Sequence, residues 1–474
     1  MRQARGGLVI AVGLVLAAGA SAVSTTVRIS QVYGGGGNTD ATYRNDYIEL
    51  RNCAETNIDL TGWSVQYAAS NSTTWTKSCL DGIIPAGGYY LVQEKSGGII
   101  GAVLPTPNAT DTVNLATDAG KVALVASTNL LTSANPATQS TVVDFVGYGG
   151  ANGYEGLVPA PGPSNNSKQG ILRKKGGLSD TDDNSADFVV GTPDPHNRDS
   201  PPLLRAGDIA IIGWDDASNL FSFVALTEIS SGSTIHFTDN GWSNTQYRIS
   251  EKVVRFEANA SIPAGTIIQS DAISNIFTWV CSGGYANLDL NNEGGEQIYA
   301  FQGPLVDPAT NLFVLDDSGF FEPATNSNTG GVAPGLVLNR TAITFTLKKT
   351  APHFMAFTNF PNQAKTKVQW LMAIADSNNW QFGSSGTLPS GPLMVNPPPA
   401  LTLLASPETG GILSGAGLWD EGSSVAITAV PTAGYEFLRW SDANRNATRT
   451  ILMPGYDVTN TAYFASKATV LIIK

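Results

Sequence analysis

The sequence of 474 residues is poor in the side chains that most enzymes use for catalysis. Its three histidines, His196, His236 and His353, are far apart in the chain, whereas a zinc site normally has two close ligands or a Cys-x-x-Cys pair. The Gly-x-Ser-x-Gly motif of serine hydrolases does not occur either. We therefore predict a chain without a histidine metal centre, a Ser-His-Asp triad or any other catalytic site.

Cysteine is also scarce, with three residues in the whole chain. Cys53 follows a predicted strand and Cys79 follows Trp75, so we expect both at the same end of a β-sandwich, where an oxidising compartment would let them form a disulfide. Cys281 is then left over. Its apolar neighbours favour a small buried residue rather than a reactive thiol.

Long apolar runs are missing except at the start, where residues 1–22 have the pattern of a secretory signal peptide. Arg2 and Arg5 precede an apolar run over residues 8–18, and the small residues 20–22 form a cleavage site. The run is well short of the ~20 residues that span a bilayer. We predict export, a location outside the cell or at its surface, and no transmembrane span.

Basic residues are fewer than acidic residues. Without Arg2 and Arg5 the chain has 25 Lys and Arg (27 − 2) against 39 Asp and Glu, a formal charge of −14. Such a surface repels phosphate backbones, so we predict no direct nucleic-acid binding. The densest basic cluster, Arg173-Lys174-Lys175, is expected to be a solvated turn.

The residues that are abundant favour an all-β fold. The chain has 50 glycines and many short apolar runs that end at turn residues, and its length suggests roughly three domains. Residues 46–67 contain two alternating segments on either side of a polar corner, which is the pattern of two strands of a small sandwich.

The first part of the chain resembles the lamin-tail domain in its bacterial secreted form. The resemblance rests on D-Y-I-E-L-R-N, D-L-T-G-W-S-V, I-P-A-G-G-Y-Y-L-V, G-K-V-A-L-V, V-D-F-V-G-Y-G and the ending D-T-D-D-N-S-A-D-F. It implies an immunoglobulin-like β-sandwich over residues 25–197. In bacteria such domains are usually non-catalytic modules of secreted nucleases, phosphoesterases or surface proteins.

Two proline-rich segments, residues 192–203 and 388–399, are predicted linkers. Between them, residues 204–394 are expected to form a second β-rich domain of unknown function. Residues 400–465 contain the pattern G-Y-x-F-x-x-W and resemble the divergent internalin B-type repeat, which implies a small β-rich domain at the C-terminal end.

One acidic segment is a candidate cation site. Asp180, Asp182 and Asn184 offer oxygens at alternate positions, which suits calcium, although a calcium loop requires glycine at Ser185 and glutamate at Gly191. The alternative is a polar turn whose side chains cap backbone N–H groups. The pair Asp215-Asp216 is a shorter candidate. Apart from possible calcium, no cofactor is predicted.

Exposed tryptophans would form a carbohydrate platform, and Trp242, Trp370 and Trp380 are candidates, although a generic surface interaction is favoured over sugar binding. Three others, at positions 63, 214 and 279, lie in alternating strands and are expected in the core. We predict a secreted or surface-associated protein that binds an extracellular protein or glycan in adhesion. The alternative is a secreted nuclease or phosphoesterase, or a non-catalytic accessory of one.

Overall fold

The computed structural model describes residues 26–54, 56–164, 166–281, 288–290, 295–305, 307–326, 329–346, 353–360 and 363–467. The predicted signal peptide lies outside these residues. Apart from two short loop segments, the chain divides by its packing into an N-terminal unit that ends at Arg198 and a C-terminal unit that begins at Asp199. No helix in the described part is long and apolar enough to cross a membrane.

The N-terminal unit consists almost entirely of short strands. They are β1 (Val27–Tyr33), β2 (Asn45–Asn52), β3 (Ile58–Asp59), β4 (Ser64–Ala69), β5 (Thr76–Cys79), β6 (Ile83–Ile84), β7 (Tyr89–Ser96), β8 (Ala109–Thr110), β9 (Gly120–Val125), β10 (Val142–Tyr148), β11 (Gly170–Arg173) and β12 (Phe188–Gly191). Two helical turns, α1 (Lys174–Gly177) and α2 (Asn184–Asp187), lie between β11 and β12.

These strands form the predicted immunoglobulin-like sandwich. One sheet has the order β12-β11-β1-β2-β7-β8 and the other β10-β9-β4-β5, with a small β3-β6 pair beside them. The two strands expected in residues 46–67 are β2 and β4, one in each large sheet. Apolar side chains from both sheets, including Ile29, Leu50 and Val65, make one buried core.

The segment predicted as the first linker is partly packed instead. Pro193 and Pro195 are buried, and the backbone of Asp194 exchanges two hydrogen bonds with the Gln31 side chain, at 2.6 and 3.1 Å. The Asn197 side chain donates to a carbonyl oxygen of the same unit. Proline prevents strand pairing here, but buried polar groups of β1 still need partners, and this segment supplies them.

The C-terminal unit begins with a second set of strands. They are β13 (Ile209–Asp215), β14 (Leu220–Ala225), β15 (Thr234–Thr238), β16 (Val253–Ala258), β17 (Ile267–Gln269), β18 (Phe277–Cys281), β19 (Gln297–Gln302), β20 (Thr310–Asp316), β21 (Ala342–Thr344), β22 (Phe354–Phe357) and β23 (Trp380–Gly383), with helix α3 (Lys367–Ala375) before β23. Their orders are β17-β14-β13-β22-β23 and β18-β16-β15-β19-β20-β21. Buried aromatic and aliphatic side chains from both sheets form the core.

The last strands of this unit form two smaller sheets. They are β24 (Ala400–Ser406), β25 (Gly411–Ser414), β26 (Gly417–Leu418), β27 (Ser424–Pro431), β28 (Tyr435–Trp440), β29 (Thr448–Leu452) and β30 (Val458–Ser466). The sheet orders are β26-β24-β30-β28 and β25-β27-β29, around a core that contains Trp440, Ile427 and Phe464. The boundary between domains at residues 394–400 stays a prediction.

Candidate functional site

A buried cluster of charges lies where the sequence suggested a cation site. Arg173, at the end of β11, points into the sandwich and its side chain is fully buried. Its Nη2 atom is 2.8 and 2.7 Å from the two oxygens of Asp144 on β10, and its Nη1 atom is 3.3 Å from Asp180 Oδ1. Arg28 pairs with the other oxygen of Asp180 at 3.1 Å. The predicted solvated turn is therefore wrong for Arg173, because its positive charge neutralises these buried carboxylates.

Burial is the largest single influence on the pKa values of this cluster. Burial opposes the charge on Arg173, but Asp144 and Asp180 outweigh it and raise its pKa. Burial also raises the pKa of Asp180, and the Asp144 charge raises it further. Arg173 and Arg28 lower this pKa, but not enough to cancel the rise. Burial, followed by the Asp144 charge, raises the pKa of Glu155 to about 9. At neutral pH Glu155 is therefore protonated.

Two of the predicted calcium ligands, Asp180 and Asn184, bond to other groups of the protein. The Asn184 side chain accepts from the N–H groups of Gly147 and Glu155, at 2.9 and 3.1 Å, and donates to the Phe145 carbonyl. Asp182, partly exposed, has a φ of 55°, which is typical of a tight turn. The segment thus contains the polar turn that was the alternative.

Capping interactions complete this turn. The Asp183 carboxylate caps α2 by accepting from the Ser185 N–H at 3.0 Å and from its hydroxyl at 2.7 Å. The fully buried Asp187 accepts from the Thr181 N–H at 2.7 Å and from the Ser179 hydroxyl at 3.0 Å. These contacts fix the chain between β11 and β12.

A different trio of carboxylates does come together. Asp144, Glu155 and Asp180 each offer an oxygen within 4.8 Å of the others. Their donor set fits a cation poorly, because Arg173 already bonds to Asp144 and Asp180. Calcium requires six to eight oxygens, so it would have to displace the guanidinium group. This arrangement supports the sandwich rather than a metal.

The predicted disulfide is not formed in the structure, where Cys53 and Cys79 are both free thiols. Cys53 follows β2 of the first sheet, and its Sγ lies 3.8 Å from the Gly177 carbonyl oxygen. Burial raises the pKa of this thiol. Cys79 is exposed and ends β5 of the other sheet, opposite Ser64. The side chain of Cys281 lies outside the described residues.

The histidines occupy separate places with separate partners. His196 Nδ1 is 3.2 Å from Glu49 Oε2; burial alone would lower its pKa, but the Glu49 carboxylate raises it overall. His236 stacks on Phe301, and burial lowers its pKa to about 4. His353 Nδ1 is 3.1 Å from Asp317 Oδ2.

The second acidic candidate, Asp215-Asp216, also makes structural contacts. Asp215 accepts from the Ala217 N–H and from the Ser218 hydroxyl, which closes a turn after β13. Asp216 accepts from the backbone N–H of His353 at 2.6 Å. Nothing in the sequence pattern predicts this last contact, since 137 positions separate the two residues.

The tryptophans proposed as a sugar platform are buried. Trp242, Trp370 and Trp380 are 5%, 0% and 7% exposed, so these rings are not accessible to a ligand. Of the three expected in the core, Trp214 is fully buried and the other two, at positions 63 and 279, are half-buried against the cores.

Each unit has a solvent-accessible cleft. In the N-terminal unit, a cleft of about 450 Å³ lies between the β4–β5 hairpin and residues 111–114. In the C-terminal unit, a larger cleft of about 880 Å³ contains one aromatic ring, Trp419, beside Lys367, Asp208 and Asn396. Sequence reasoning missed Trp419, although it stands alone between turn residues rather than in an alternating strand.

The fold defines a multi-domain, β-rich protein. Within it, residues 20–150 match the family model of the Lamin Tail Domain and residues 401–468 match that of the Divergent InlB B-repeat domain, so the chain contains both domains. No curated protein matches the chain. A crystal structure of a DUF4876 family protein from Bacteroides thetaiotaomicron matches 38% of this chain and 74% of its own, with 11% identity and a TM-score of 0.27, too low to support any inference.

Proposed function

We propose that this protein is a secreted or cell-surface-associated bacterial protein without catalytic activity, which binds an extracellular protein or glycan in adhesion. The observation that carries the proposal is the presence of a lamin-tail domain and an InlB-type repeat in one chain. Both belong to extracellular-type proteins and neither is a catalytic family. Loops at the ends of such sandwiches can vary without disturbing the cores, which suits a binding role.

The contacts of the reactive side chains support the same proposal. Asp144 is paired with Arg173, Glu49 bonds to His196, and Asp317 bonds to His353. The first two pairs are in the N-terminal unit and the third is in the C-terminal unit. A hydrolase needs an acid, a base or a metal that converge on one substrate position.

Two assays on the purified chain test this function. The first is a binding screen against arrayed extracellular matrix proteins and glycans, in which we expect saturable binding to at least one class. The second is hydrolysis of plasmid DNA and of a phosphodiester dye with added Mg²⁺, Mn²⁺, Ca²⁺ or Zn²⁺, in which we expect none. Hydrolysis that EDTA abolishes would replace the proposal by a secreted nuclease or phosphoesterase, and failure to bind any probe would remove it.

A further inference from the structure

The larger cleft of the C-terminal unit has a composition that suits a sugar. Its lining includes the aromatic residue Trp419 and the apolar residues Pro397, Pro398 and Leu418. It also includes the hydroxyl residues Thr227, Ser423 and Ser424 and the amide residue Asn396. A pyranose ring has an apolar face and a rim of hydroxyls, so it matches a surface with an aromatic ring and neutral hydrogen-bonding groups.

Trp419 is held in place by contacts that involve its edge and its backbone. Its indole N–H donates to the Gly415 carbonyl at 3.2 Å, and its backbone N–H donates to the Pro399 carbonyl at 3.0 Å. The ring is partly buried against the repeat core and also lines the cleft. A preordered ring loses little conformational entropy when a ligand stacks on it.

Lys367 forms ion pairs with two other residues that line the cleft. Its Nζ is 2.9 Å from Asp208 Oδ1, just before β13, and forms an ion pair with Asp420, just after β26. The neighbouring Thr366 hydroxyl donates to Glu421 at 3.4 Å. The cleft is therefore bounded by fixed elements, as most ligand sites are.

The charges favour a neutral ligand. The lining contains two cations, Arg205 and Lys367, and three carboxylates, Asp208, Glu228 and Asp420. Because Lys367 neutralises two of these carboxylates in part, no strong positive field is left to attract an anionic polysaccharide. The volume of about 880 Å³ admits a ligand much larger than an ion.

We propose that this cleft binds a neutral oligosaccharide, with Trp419 stacking on a sugar ring. The inference rests on the proposed binding function and specifies its ligand class and site. It also accounts for the one large aromatic side chain that lines the cleft.

Titration calorimetry of the full chain with soluble neutral hexaoses of glucose, mannose, xylose, galactose or N-acetylglucosamine tests the inference. We expect at least one to bind, and Trp419→Ala to weaken that binding about tenfold or more. Because Trp419 also packs on the repeat core, a second variant, Ser424→Glu, places a bulky charge in the cleft from an exposed position. It should weaken binding to a similar degree.

Two controls separate cleft effects from general effects. Ala426→Glu lies two residues further along the same face of β27 and does not line the cleft. Tyr456→Ala removes a 70% exposed aromatic ring elsewhere in the repeat. Both should bind within about twofold of the wild type, and circular dichroism melting of all four variants verifies folding.

The outcomes distinguish the two proposals. If no hexaose binds while a matrix protein does, the sugar inference falls and the binding function stands. If a hexaose binds equally to the wild type, Trp419→Ala and Ser424→Glu, the cleft is the wrong site. If the wild type binds and cleaves the sugar, the non-catalytic function falls and the ligand class stands.

Discussion

Two cations of this protein lie between carboxylates, and their surroundings differ. Arg173 bonds to Asp144 and Asp180 inside the lamin-tail sandwich, with 0% of its side chain exposed. Lys367 bonds to Asp208 and Asp420 beside an open cleft, with 13% exposed. The guanidinium is a planar fork that satisfies several buried oxygens at once, whereas the ammonium is a compact point charge.

The comparison separates a structural charge cluster from a candidate binding site. Around Arg173, hydrogen bonds occupy both oxygens of Asp144, including one from the Ile29 N–H at 2.6 Å. Around Lys367, the charges are paired, and a ring and hydroxyls remain accessible to a ligand. Proximity of charged residues is therefore a poor guide to function; solvent access beside them is a better one.

The largest expected effect is the loss of Arg173. Arg173→Met leaves Asp144 and Asp180 buried without their shared cation, which should lower the stability of the sandwich by about 3–5 kcal/mol. Hydrogen–deuterium exchange of peptides from β10 and β11 measures this locally. Arg44→Met, at an exposed arginine of the same unit, should change it by less than about 1 kcal/mol. Equal effects of the two variants would contradict the structural role of Arg173.

Replacement of Lys367 should lower the stability by less than replacement of Arg173. Lys367→Met removes two ion pairs, but Asp420 has 29% side-chain exposure and can be solvated, so we expect a loss of about 1–3 kcal/mol. Hydrogen–deuterium exchange of peptides from α3 and β26 measures this loss of stability. Lys252→Met, at an exposed position, is the control. A loss as large as that of Arg173→Met would mean that the two clusters are equivalent.

A buried carboxyl without a cationic partner completes the comparison. Glu94 accepts from the Ser78 hydroxyl and from the Val113 N–H at 3.0 Å, and burial raises its pKa to about 7. The folded state thus holds this proton more tightly than the unfolded chain. The protonated Glu94 carboxyl therefore stabilises the folded state by about 1–3 kcal/mol below about pH 4. This stabilisation is lost as the pH rises towards 7.

Glu94→Gln cannot ionise, so this variant should lose less stability than the wild type between pH 5 and pH 8 in scanning calorimetry. Some pH dependence should remain, because burial also raises the pKa of Asp46 to about 7. Asp40→Asn, at an exposed carboxyl, should follow the wild type. Identical pH profiles for Glu94→Gln and the wild type would mean that Glu94 is ionised throughout.

The strands were predictable because turn residues separate their apolar runs. The run G-K-V-A-L-V is β9, and the run V-D-F-V-G-Y-G, residues 143–149, covers all of β10 except its first residue. The pattern G-D-I-A-I-I-G-W, residues 207–214, predicts a strand that in the structure begins at Ile209, because Gly207 has a φ of 86° and forms the preceding turn. Local pattern thus determines where strands occur, within about two residues.

The sites were less predictable because they depend on contacts between distant segments. The burial of Arg173 depends on Asp144, 29 positions away, although opposite charges inside two strand patterns were a usable signal. Three tryptophans were named as candidates for a sugar platform and are buried, since periodicity does not show which faces are covered. Trp419 was missed for a similar reason: other residues that line its cleft, such as Lys367 and Asp208, are remote in sequence.

Calcium should have the smallest effect, and it tests whether the Arg173 cluster is closed. Binding at Asp180 would require displacement of Arg173 and Arg28, so millimolar calcium should shift the melting temperature of the wild type by less than about 1 °C relative to EDTA. Arg173→Met removes the guanidinium from Asp144 and from one oxygen of Asp180, so calcium should raise the melting temperature of this variant by several degrees. A wild-type shift above about 3 °C that Asp180→Asn abolishes would instead show that the arginines yield to the ion.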